Sequence, residues 1–482
     1  MRIPERGLPA DRILATLEGY KARDLPWRDG RTWAYVYDPG PEAEALIKQA
    51  YGLFLTENAL DPTAFPSALR LENEVVAMAS AHLRGDADTV GTFTSGGTES
   101  IILAVKTARD LARVARPELK TPEILLPETA HAAFHKAAHY LDVGVRTVPA
   151  DPRSYKADPA AMRAAVGPNT ILLVGSAPSY AHGVVDPIVE LGRIADEHGI
   201  LFHVDACMGG FLLPYLRRLG APVPDFELHV PGVTSISMDL HKYAFAAKGA
   251  SVLLHRSAAL RRHQLYACAD WSGYTIINST IQSTKSVGPL AAAWAVLHFF
   301  GDDGYLAIAR QVLDATHRLV AGIRSIPGLR ILGEPDMNLI ACAADDVDVF
   351  HLADAMRARG WYVQPQLSRG SSPANVHLSV NPASVRWVDA LLDDLRATSG
   401  QLRAAPPPDT AGMLRQALAG LDPTTRPSPE EVSALLAAAG ASGTELPERM
   451  AAVNQALDAL PVRFREGLLV EDLNQIYRPA GG

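Results

Sequence analysis

Residues 201–210 read LFHVDACMGG and residues 235–249 read SISMDLHKYAFAAKG, and these two stretches decide the fold of the chain. The first begins with a short, apolar and partly β-branched run, which is typical of a buried parallel strand, and Asp205 ends it. The second begins with another predicted strand and delivers His241 and Lys242 at its exit. An acid and a lysine at neighbouring strand ends are what pyridoxal phosphate (PLP) needs, because the lysine forms a Schiff base and the carboxylate keeps the pyridine nitrogen charged. Taken alone, such a pair is more often made of ordinary surface residues.

The chain around these stretches alternates strands and helices from about residue 90 to residue 256. We predict strands at 123–126, 143–148, 170–174, 200–204, 234–237 and 251–255, and helices at 100–115, 131–141, 187–198 and 211–219. Such alternation is typical of an α/β fold with a mostly parallel sheet covered by helices. The predicted architecture is therefore a large α/β domain followed by a smaller α+β C-terminal domain.

Four segments are predicted along the chain. Residues 1–80 form an N-terminal arm and helices, residues 81–300 the large domain, residues 301–403 the small α+β domain, and residues 404–482 a helical C-terminal extension. A long helix that begins near Gly288 links the two domains. The small domain has predicted strands at 329–333, 337–342 and 376–380, and predicted helices at 349–359 and 384–398. A proline-rich linker at 404–408 precedes predicted helices at 410–421 and 447–460.

The composition is that of an acidic globular protein. The chain has 482 residues, 48% of them hydrophobic, and a formal net charge of −8, which argues against nucleic acid or an anionic membrane as the main partner. Its three cysteines are widely spaced, which excludes a disulfide framework and a CxxC metal site and favours a reducing compartment. The first residues lack the apolar core of a signal peptide, and the most apolar segment, 289–300, is too short to span a bilayer. We therefore expect a soluble, cytoplasmic protein with no transmembrane anchor, no nucleic-acid partner and no metal.

Residues 91–100, GTFTSGGTES, lead into an amphipathic helix. Glycines let the backbone approach a ligand closely and a helix start presents free N–H groups to an anion, so Gly97 and Thr98 are candidate phosphate ligands. A serine or threonine cap with glycines in an ordinary turn is the alternative. The motif is neither a P-loop nor GxGxxG, so a nucleotide is not predicted. Residues 129–131, TAH, follow a predicted strand, and His131 either stacks flat on an aromatic cofactor or caps the helix in solvent.

The order of these motifs resembles the fold-type-I PLP enzymes of the group that includes the group II amino-acid decarboxylases. The shared elements are TSGGTES, TAH, the HVDA acid and the SISxDxHK lysine. The finer match is to the sphingosine-1-phosphate lyase family, which GTFTSGGTESIILAVKTARD, ETAHAAFHKAAHYL, HVDACMGGFLLPYL and SISMDLHKYAFAAKGASVLL all resemble. The resemblance covers residues 33–382 and implies a PLP-dependent transferase-like fold.

The resemblance implies roles around the cofactor. Lys242 is implied to hold PLP as a Schiff base, Asp205 to pair with the pyridine nitrogen, and His131 to stack on one ring face. Cys207 is implied to lie against the other face as a packing residue, since a thiol nucleophile fits this position less well. The residues implied to hold the phosphate are Gly97, Thr98 and His241, with Ser283 and Thr284 reaching the phosphate of a partner subunit. A homodimer with shared active sites is thus implied.

Four further residues are implied to meet the substrate, namely Tyr37, Asp61, Lys248 and Tyr477. Tyr477, in the closing helix, matches a tyrosine that reaches the active site in bacterial lyases, and an exposed tyrosine on an amphipathic helix is the open alternative. The predicted catalytic residues are Lys242, His131 and Tyr37. A crowded lysine has a lowered pKa, which makes the freed Lys242 a candidate proton carrier, with Tyr37 as the other.

Three departures from the family bear on the substrate. The chain has Asp61 where the lyases usually have a histidine, which sets an acid against a dianionic ligand. It has Phe245 for the second tyrosine of HKYGY, and Lys285 for the arginine of the cross-subunit GSR segment, a poorer bidentate phosphate ligand. The leading hypothesis is an aldehyde lyase that cleaves a phosphorylated long-chain amino alcohol of the sphingosine-1-phosphate type to a fatty aldehyde and phosphoethanolamine. The alternative is a PLP-dependent amino-acid decarboxylase of the group II type.

Overall fold

The computed structural model describes residues 2–407, residue 428 and residues 449–477. Its helices are α1 (Ala10–Lys21), α2 (Pro41–Leu53), α3 (Pro66–His82), α4 (Gly97–Ala115), α5 (Ala133–Leu141), α6 (Pro159–Ala165), α7 (Ile188–His198), α8 (Leu213–Arg218), α9 (Ala258–Arg261), α10 (Gly288–Arg324), α11 (Val349–Ala358), α12 (Val388–Ala404), α13 (Ala451–Ala459) and α14 (Val462–Ile476). Its strands are β1 (Val90–Thr94), β2 (Glu123–Pro127), β3 (Gly144–Val148), β4 (Thr170–Ser176), β5 (Leu201–Asp205), β6 (Ser235–Asp239), β7 (Ser251–His255), β8 (Tyr266–Cys268), β9 (Ile276–Asn278), β10 (Leu329–Ile331), β11 (Leu339–Ala344), β12 (Gln364–Gln366) and β13 (Asn375–Ser379).

The larger sheet is mostly parallel. Within the described ranges it has seven strands in the order β1-β7-β6-β5-β4-β2-β3, and β7 runs antiparallel to both of its neighbours. Strands β4 and β6 are buried along their whole length because helices cover them, with α4 packed on β6 and β7 and α7 on β4 and β5. The register places Ser176, Asp205 and Ser237 side by side at the carboxyl end of the sheet. The predicted α/β fold is confirmed.

A histidine lies inside this apolar core. His203 of β5 is fully buried, and its ring nitrogens lie 2.8 Å from Ser235 Oγ and 3.2 Å from Ser237 Oγ. Burial lowers the pKa of His203 to about 4, so the ring is neutral at pH 7. Two hydroxyl groups of the neighbouring strand thus satisfy the one polar side chain that interrupts the apolar run of β5.

Helix α10 joins the large sheet to the rest of the chain. It changes direction at Gly301, whose φ of 57° and ψ of −178° are not helical. Before the kink, Trp294 Nε1 donates a hydrogen bond to Glu74 Oε2 of α3 at 2.7 Å. After the kink, Gly322 packs closely against Leu392 of α12. A Cβ added to Gly322 would lie 2.2 Å from Leu392 Cδ1. The helix therefore contacts a different part of the molecule on each side of Gly301.

The smaller sheet follows α10. Within residues 2–407 it has four antiparallel strands in the order β10-β11-β13-β12, and α11 packs against β12 and β13. The C-terminal helices dock beside it. Asp354 of α11 accepts hydrogen bonds from the amides of Met450 and Ala451 at 3.0 and 2.9 Å. Asp458 of α13 accepts hydrogen bonds from the amide and hydroxyl of Ser368 at 2.6 and 2.8 Å. The smaller α+β domain is thus present as predicted.

The structure also contains elements that the sequence did not predict. These include α1 in the N-terminal arm, β1 under the glycine-rich motif, the short helices α6 and α9, the short β8–β9 hairpin and β12. Strands of three residues carry too little periodicity to be recognised, and β1 (VGTFT) is rich in glycine and threonine. The helix predicted at 410–421 lies outside the described residues, and the domain boundaries stay predictions. In the described part of the chain, no helix combines the length and apolarity needed to cross a membrane.

Candidate active site

A cavity of about 600 Å³ opens at the carboxyl ends of β4, β5 and β6. Ligands of open α/β sheets bind at this edge. The residues that line it are Tyr35, Tyr37, Ser95, Gly96, Gly97, Thr98, Glu99, Ile101, His131, Ser176, Pro178, Tyr180, Asp205, Cys207, Met208, Asp239, His241, Lys242, Lys248 and Gln364. A cavity of about 650 Å³ between α3, α8 and α10 is slightly larger but contains none of the predicted site residues. We therefore place the candidate active site in the first cavity.

Lys242 is held at the cavity floor by a carboxylate. Its Nζ lies 2.9 Å from Oδ2 of Asp239, the last residue of β6. Burial disfavours the charged lysine, but the adjacent Asp239 outweighs that effect, so the pKa of Lys242 is raised. Burial likewise acts to raise the pKa of Asp239, and the charges of Lys242 and His241 overcome it and hold that pKa below its ordinary value. The expectation of a lowered pKa concerned Lys242 once it is freed from the cofactor, and it stays a prediction.

Asp205 and Cys207 line the cavity at the end of β5, with Cys207 packed against the glycine-rich turn. Asp205 ends β5 and is buried, and its Oδ1 accepts a hydrogen bond from the Cys207 amide at 3.1 Å. The Cys207 thiol lies 3.2 Å from Ser237 Oγ. Burial, and the nearby charges of Asp205 and Asp239, raise the pKa of Cys207 well above its ordinary value. A protonated, hydrogen-bonded thiol fits the interpretation of Cys207 as a packing residue.

The glycine-rich turn is shaped for an anion. Gly96 precedes α4 and no side chain caps the helix start, which leaves backbone N–H groups available to a ligand. A Cβ at Gly97 would lie 2.6 Å from Cys207 Sγ and 2.9 Å from Asp239 Oδ1, so only glycine fits there. Ser176 Oγ, also in the cavity wall, is buried and has no hydrogen-bond partner among the described residues. These features, with Lys242 and Asp205, fit PLP.

His131 lies at the mouth of the same cavity. Its Nδ1 accepts a hydrogen bond from the Ala133 amide at 3.1 Å, which fixes the ring at the start of α5. The residue is exposed in the single chain and lines the cavity wall. Its ring is thus placed where it can stack on a flat ligand.

Tyr37 and Lys248 lie together in the cavity wall. Lys248 Nζ is 4.8 Å from the centre of the Tyr37 ring and donates to the His241 carbonyl at 3.4 Å. The Tyr37 ring meets the Tyr243 ring edge-on at 5.1 Å. Burial raises the pKa of Tyr37, so its hydroxyl is protonated at neutral pH. Desolvation in the cavity and the charge of Lys242 lower the pKa of Lys248, although part of its side chain reaches solvent.

Four predicted site residues are not brought to this cavity by the single chain. Asp61 is exposed, and its Oδ1 accepts hydrogen bonds from the amide and hydroxyl of Thr63 at 2.8 and 2.7 Å. Ser283 and Thr284 are exposed on the segment before Lys285. Tyr477 is 79% exposed at the end of α14. None of these four lines the cavity.

Two departures from the lyase motifs have structural explanations. Lys285 is buried, and its Nζ lies 2.6 Å from Glu72 Oε2, so it ties its segment to α3. The interpretation of Lys285 as a weaker ligand for a partner subunit's phosphate stays a prediction, and within the chain its Nζ is already paired with Glu72. Phe245 is also buried, with its ring 5.9 Å from that of Phe300 and 6.5 Å from that of Tyr305. Neither residue lines the cavity.

The structure adds residues that the motifs did not single out. Asp239 was inside a quoted motif, but only its contacts identify it. Tyr180, in the loop after β4, donates a hydrogen bond from its hydroxyl to Gln364 Oε1 at 2.6 Å, and burial raises its pKa to about 12. Gln364 comes from the smaller sheet, so this cavity lies between the two sheets. A tyrosine in the loop after a predicted strand was the available signal for Tyr180.

Comparisons with known proteins agree with this geometry. The family model described as the pyridoxal-dependent decarboxylase conserved domain matches residues 27–344, and a model for a C-terminal HTH domain of pyridoxal-dependent enzymes matches residues 411–475. The chain is 40% identical to sphingosine-1-phosphate lyase of Arabidopsis thaliana over 420 residues, which are 85% of this chain and 76% of that protein.

Two further matches complete the comparison. The structure of Burkholderia pseudomallei K96243 sphingosine-1-phosphate lyase superposes with a TM-score of 0.80 at 37% identity, covering 87% of this chain and 96% of that one. The probable L-aspartate decarboxylase of Pyrococcus furiosus is 31% identical over 362 residues, which are 75% of this chain and 94% of that protein. The chain is thus similar both to lyases and, less closely, to a decarboxylase.

Proposed function

The chain belongs to the pyridoxal-dependent decarboxylase family and, within it, to the sphingosine-1-phosphate lyases, and from that premise we propose that it is a PLP-dependent carbon–carbon lyase. Its substrate is a phosphorylated long-chain amino alcohol, and its products are a fatty aldehyde and phosphoethanolamine. The observation that carries the proposal is the similarity to sphingosine-1-phosphate lyases, at 40% and 37% identity over most of the chain, and the second lysine of the cavity fits it. With Lys242 committed to the cofactor, Lys248 beside Tyr37 remains as a cation for the substrate phosphate.

PLP, when bound, supplies an electron sink for the bond that breaks next to the amine-bearing carbon. In this chain Lys242 would hold it through Nζ, and Asp205 would keep its pyridine nitrogen charged. The residues that would hold its phosphate are Gly97, Thr98 and His241, and those that would enclose its ring are His131 and Cys207. The close approach of Gly97 to Cys207 supports this assignment, since a Cβ at residue 97 would lie 2.6 Å from Cys207 Sγ.

The protein selects the bond by fixing the other substituents of the substrate. We assign Lys248 to the phosphate and Tyr37 to a hydrogen bond with the substrate, because burial keeps the Tyr37 hydroxyl protonated at neutral pH. The proton of the substrate hydroxyl then passes to Lys242 Nζ once that nitrogen is free of the cofactor. The contact of 2.9 Å between Lys242 and Asp239 supports this assignment, since it holds the freed nitrogen at the cavity floor.

We propose further that the active protein is a homodimer with shared sites, acting in the cytoplasm. The segment that carries Ser283 and Thr284 starts at Ile281, whose amide donates to Glu99 Oε1 at 2.9 Å, and both residues are exposed and do not line the cavity of their own chain. The neighbouring β8–β9 hairpin exposes large apolar side chains, namely Tyr266, Trp271, Tyr274 and Ile277. An exposed apolar patch of this kind is typical of an interface and supports a second copy as its partner.

An amino-acid decarboxylase is the second candidate. Asp61, with its acidic side chain at a position where the lyases have a histidine, favours it, and so does the similarity to the Pyrococcus decarboxylase. A decarboxylase would place the carboxylate of an amino acid, rather than a phosphate, near Lys248. The cation alone does not distinguish the two ligands.

The test compares both reactions in one preparation. In one assay the purified, PLP-loaded protein is incubated with a phosphorylated long-chain base, and aldehyde and phosphoethanolamine are measured. In the other it is incubated with L-aspartate and L-glutamate, and carbon dioxide is measured. We expect aldehyde from the first and no carbon dioxide from the second. K242A is the control and should abolish both reactions. Carbon dioxide release without aldehyde formation would replace the lyase by the decarboxylase.

A further inference from the structure

Tyr35 has a backbone conformation that tyrosine rarely adopts. Its φ of 66° lies in the left-handed region, where a bulky side chain is strained. The Val36 amide donates to the Ala34 carbonyl at 2.9 Å, which closes a γ-turn of the rare, positive-φ form around Tyr35. Strain of this kind is concentrated at active sites and ligand-binding segments, so the turn at Tyr35 calls for a functional explanation.

The turn places the Tyr35 side chain at the mouth of the candidate active site. Tyr35 lines the cavity, yet 55% of the residue is exposed. Within the described ranges, it is the one exposed large apolar side chain that borders this cavity. The ring therefore offers apolar surface at the point where a ligand enters or leaves.

Contacts with the segment before β12 hold the ring in this place. The Trp33 amide donates to the Tyr362 carbonyl at 2.9 Å, and the Tyr362 amide donates to the Arg31 carbonyl at 3.0 Å. Trp33 is fully buried, and the rings of Tyr35 and Tyr362 lie 5.9 Å apart at an angle of 46°. The chain on the N-terminal side of Tyr35 is thus fastened to the smaller sheet, and the ring has a fixed neighbour.

A second tyrosine continues the same wall. The Tyr180 hydroxyl donates to Gln364 Oε1 at 2.6 Å. Gln364 comes two residues after Tyr362, so Tyr35 and Tyr180 rest against the same segment. Burial raises the pKa of both tyrosines, and their hydroxyl groups stay protonated at neutral pH. Two uncharged rings therefore border the cavity on the side of the smaller sheet.

The proposed substrate has all of its polar groups at one end. Phosphate, amine and hydroxyl lie on consecutive carbons, and the alkyl chain begins next to the carbon that becomes the aldehyde. With the phosphate at Lys248 and the amine at Lys242, the chain has to run out through the mouth, because the cavity of about 600 Å³ also has to hold PLP. Apolar surface at the mouth removes the first part of this chain from water, which favours binding.

We propose that Tyr35 is a specificity-determining residue that contacts the alkyl chain of the substrate at the cavity mouth, an inference that rests on the proposed function. The strained turn and the contact with Tyr362 fix the ring before the substrate arrives, so little order has to be imposed on it at binding. A substrate that lacks the chain gains nothing from the ring. Tyr35 therefore favours long-chain over short-chain amino alcohol phosphates.

The test compares kcat/KM for two substrates with the same reacting groups. One is a phosphorylated long-chain base, used below the concentration at which it forms micelles. The other is its short analogue, which keeps the phosphate, amine and hydroxyl but carries a methyl group in place of the chain. Y35A is expected to lower kcat/KM for the long substrate by about 10-fold, which corresponds to lost contact with about two methylene groups, and to leave that for the short analogue unchanged. An equal effect of Y35A on both substrates, or an effect on neither, overturns the proposal.

Two further variants separate the ring from its hydroxyl and from the backbone. Y35F keeps the apolar ring and should match the wild type on both substrates, whereas a loss equal to that of Y35A would assign the effect to the hydroxyl and overturn the proposal. Y35G adopts a positive φ without strain and should still show the loss seen in Y35A. Wild-type preference for the long substrate in Y35G would overturn the proposal, because relief of backbone strain would then replace the ring.

Y140A is the matched control. Tyr140 is 63% exposed on α5 and does not line the cavity, so its loss should leave the preference for the long substrate unchanged. A change equal to that of Y35A would make the effect general and overturn the proposal. The affinity of Y35A for PLP, measured by fluorescence titration, should equal that of the wild type, and a weaker affinity would place the ring against the cofactor instead.

The two possible failures have different signatures. A wild-type protein that forms aldehyde from neither substrate refutes the proposed function. A wild-type protein that cleaves the long substrate, together with a Y35A variant that keeps the wild-type preference, refutes the role of Tyr35 alone.

Discussion

Replacing Gly97 with alanine would put a methyl group where three atoms of the site already lie. That Cβ would be 2.6 Å from Cys207 Sγ and 2.9 and 3.0 Å from the two oxygens of Asp239. Favourable contacts between such atoms begin near about 3.5 Å, so the closest pair overlaps by about 0.9 Å. Cys207 contacts Ser237, and Asp239 is paired with Lys242, so neither can retreat without losing a contact.

Overpacking of this size costs about 1–3 kcal/mol of folding free energy. Gly97 opens α4, where the PLP phosphate is proposed to bind. A loss of about 1–3 kcal/mol in the free energy of PLP binding corresponds to an affinity that is weaker by about 5- to 150-fold. Urea denaturation of the apoprotein measures the first effect, and a fluorescence titration with PLP measures the second. C207A removes the closest of the three atoms, so G97A/C207A is expected to regain part of both losses.

Gly52→Ala is the matched control for G97A. A Cβ at Gly52 meets nothing within 4 Å, and the residue lies on the exposed side of α2. Alanine there should raise the free energy of unfolding by about 0.5–1 kcal/mol and leave the affinity for PLP unchanged. The packing argument is refuted if G97A unfolds at the wild-type urea concentration and binds PLP as tightly as the wild type.

Three further predictions concern stability and substrate binding. K285M leaves the Glu72 carboxylate without the ammonium that lies 2.6 Å from it, so the free energy of unfolding measured in urea should fall by about 3–5 kcal/mol. The double variant K285M/E72Q should recover part of that loss. Equal stability of K285M and wild type would contradict the burial of this pair. Because the folded pKa of His203, about 4, lies below its unfolded value near 6.5, the unfolded state binds more protons in acid and stability is lost as the pH falls from about 6.5 towards 4. H203Q should therefore lose about 2 kcal/mol less than the wild type between pH 7 and pH 5, and an identical loss in both proteins would rule this out. K248M should raise the KM for the phosphorylated long-chain base by about 10- to 100-fold, since a hydrogen bond to a charged group contributes about 1.5–3 kcal/mol. The affinity for PLP should stay the same. An unchanged KM would show that Lys248 does not bind the substrate phosphate.

The cofactor side of the site could be predicted because each of its residues lies just after or at the start of a periodic element. Asp205 follows the run 201–204, Lys242 follows the strand predicted at 234–237, and His131 opens a predicted helix. In a parallel sheet the carboxyl ends of neighbouring strands meet at one edge, so separate motifs converge without knowledge of any long-range contact. The structure brings all three residues into one cavity.

What the sequence could not predict depends on contacts between distant segments. Lys285 pairs with Glu72, 213 residues away, and the motif alone suggested a ligand for the phosphate. Phe245 has a positive φ of 60° and turns its ring into the core, a direction that no periodicity indicates. Asp239 carries no signal beyond its place between a strand and a lysine. Residues expected to act across a subunit interface, such as Ser283, depend on contacts with a second chain and stay predictions.

The kinked helix α10 also limits how this chain can vary in length. From residue 288 to residue 301 the helix is anchored to α3 through Trp294, and beyond Gly301 it carries the contact with α12. One residue inserted or deleted between these anchors would turn everything that follows by about 100° and shift it by about 1.5 Å along the axis. Gln364, which reaches the cavity from the smaller sheet, would then point elsewhere. Relatives that keep this active site are therefore expected to keep the number of residues between Trp294 and Gly322 even where their identities differ.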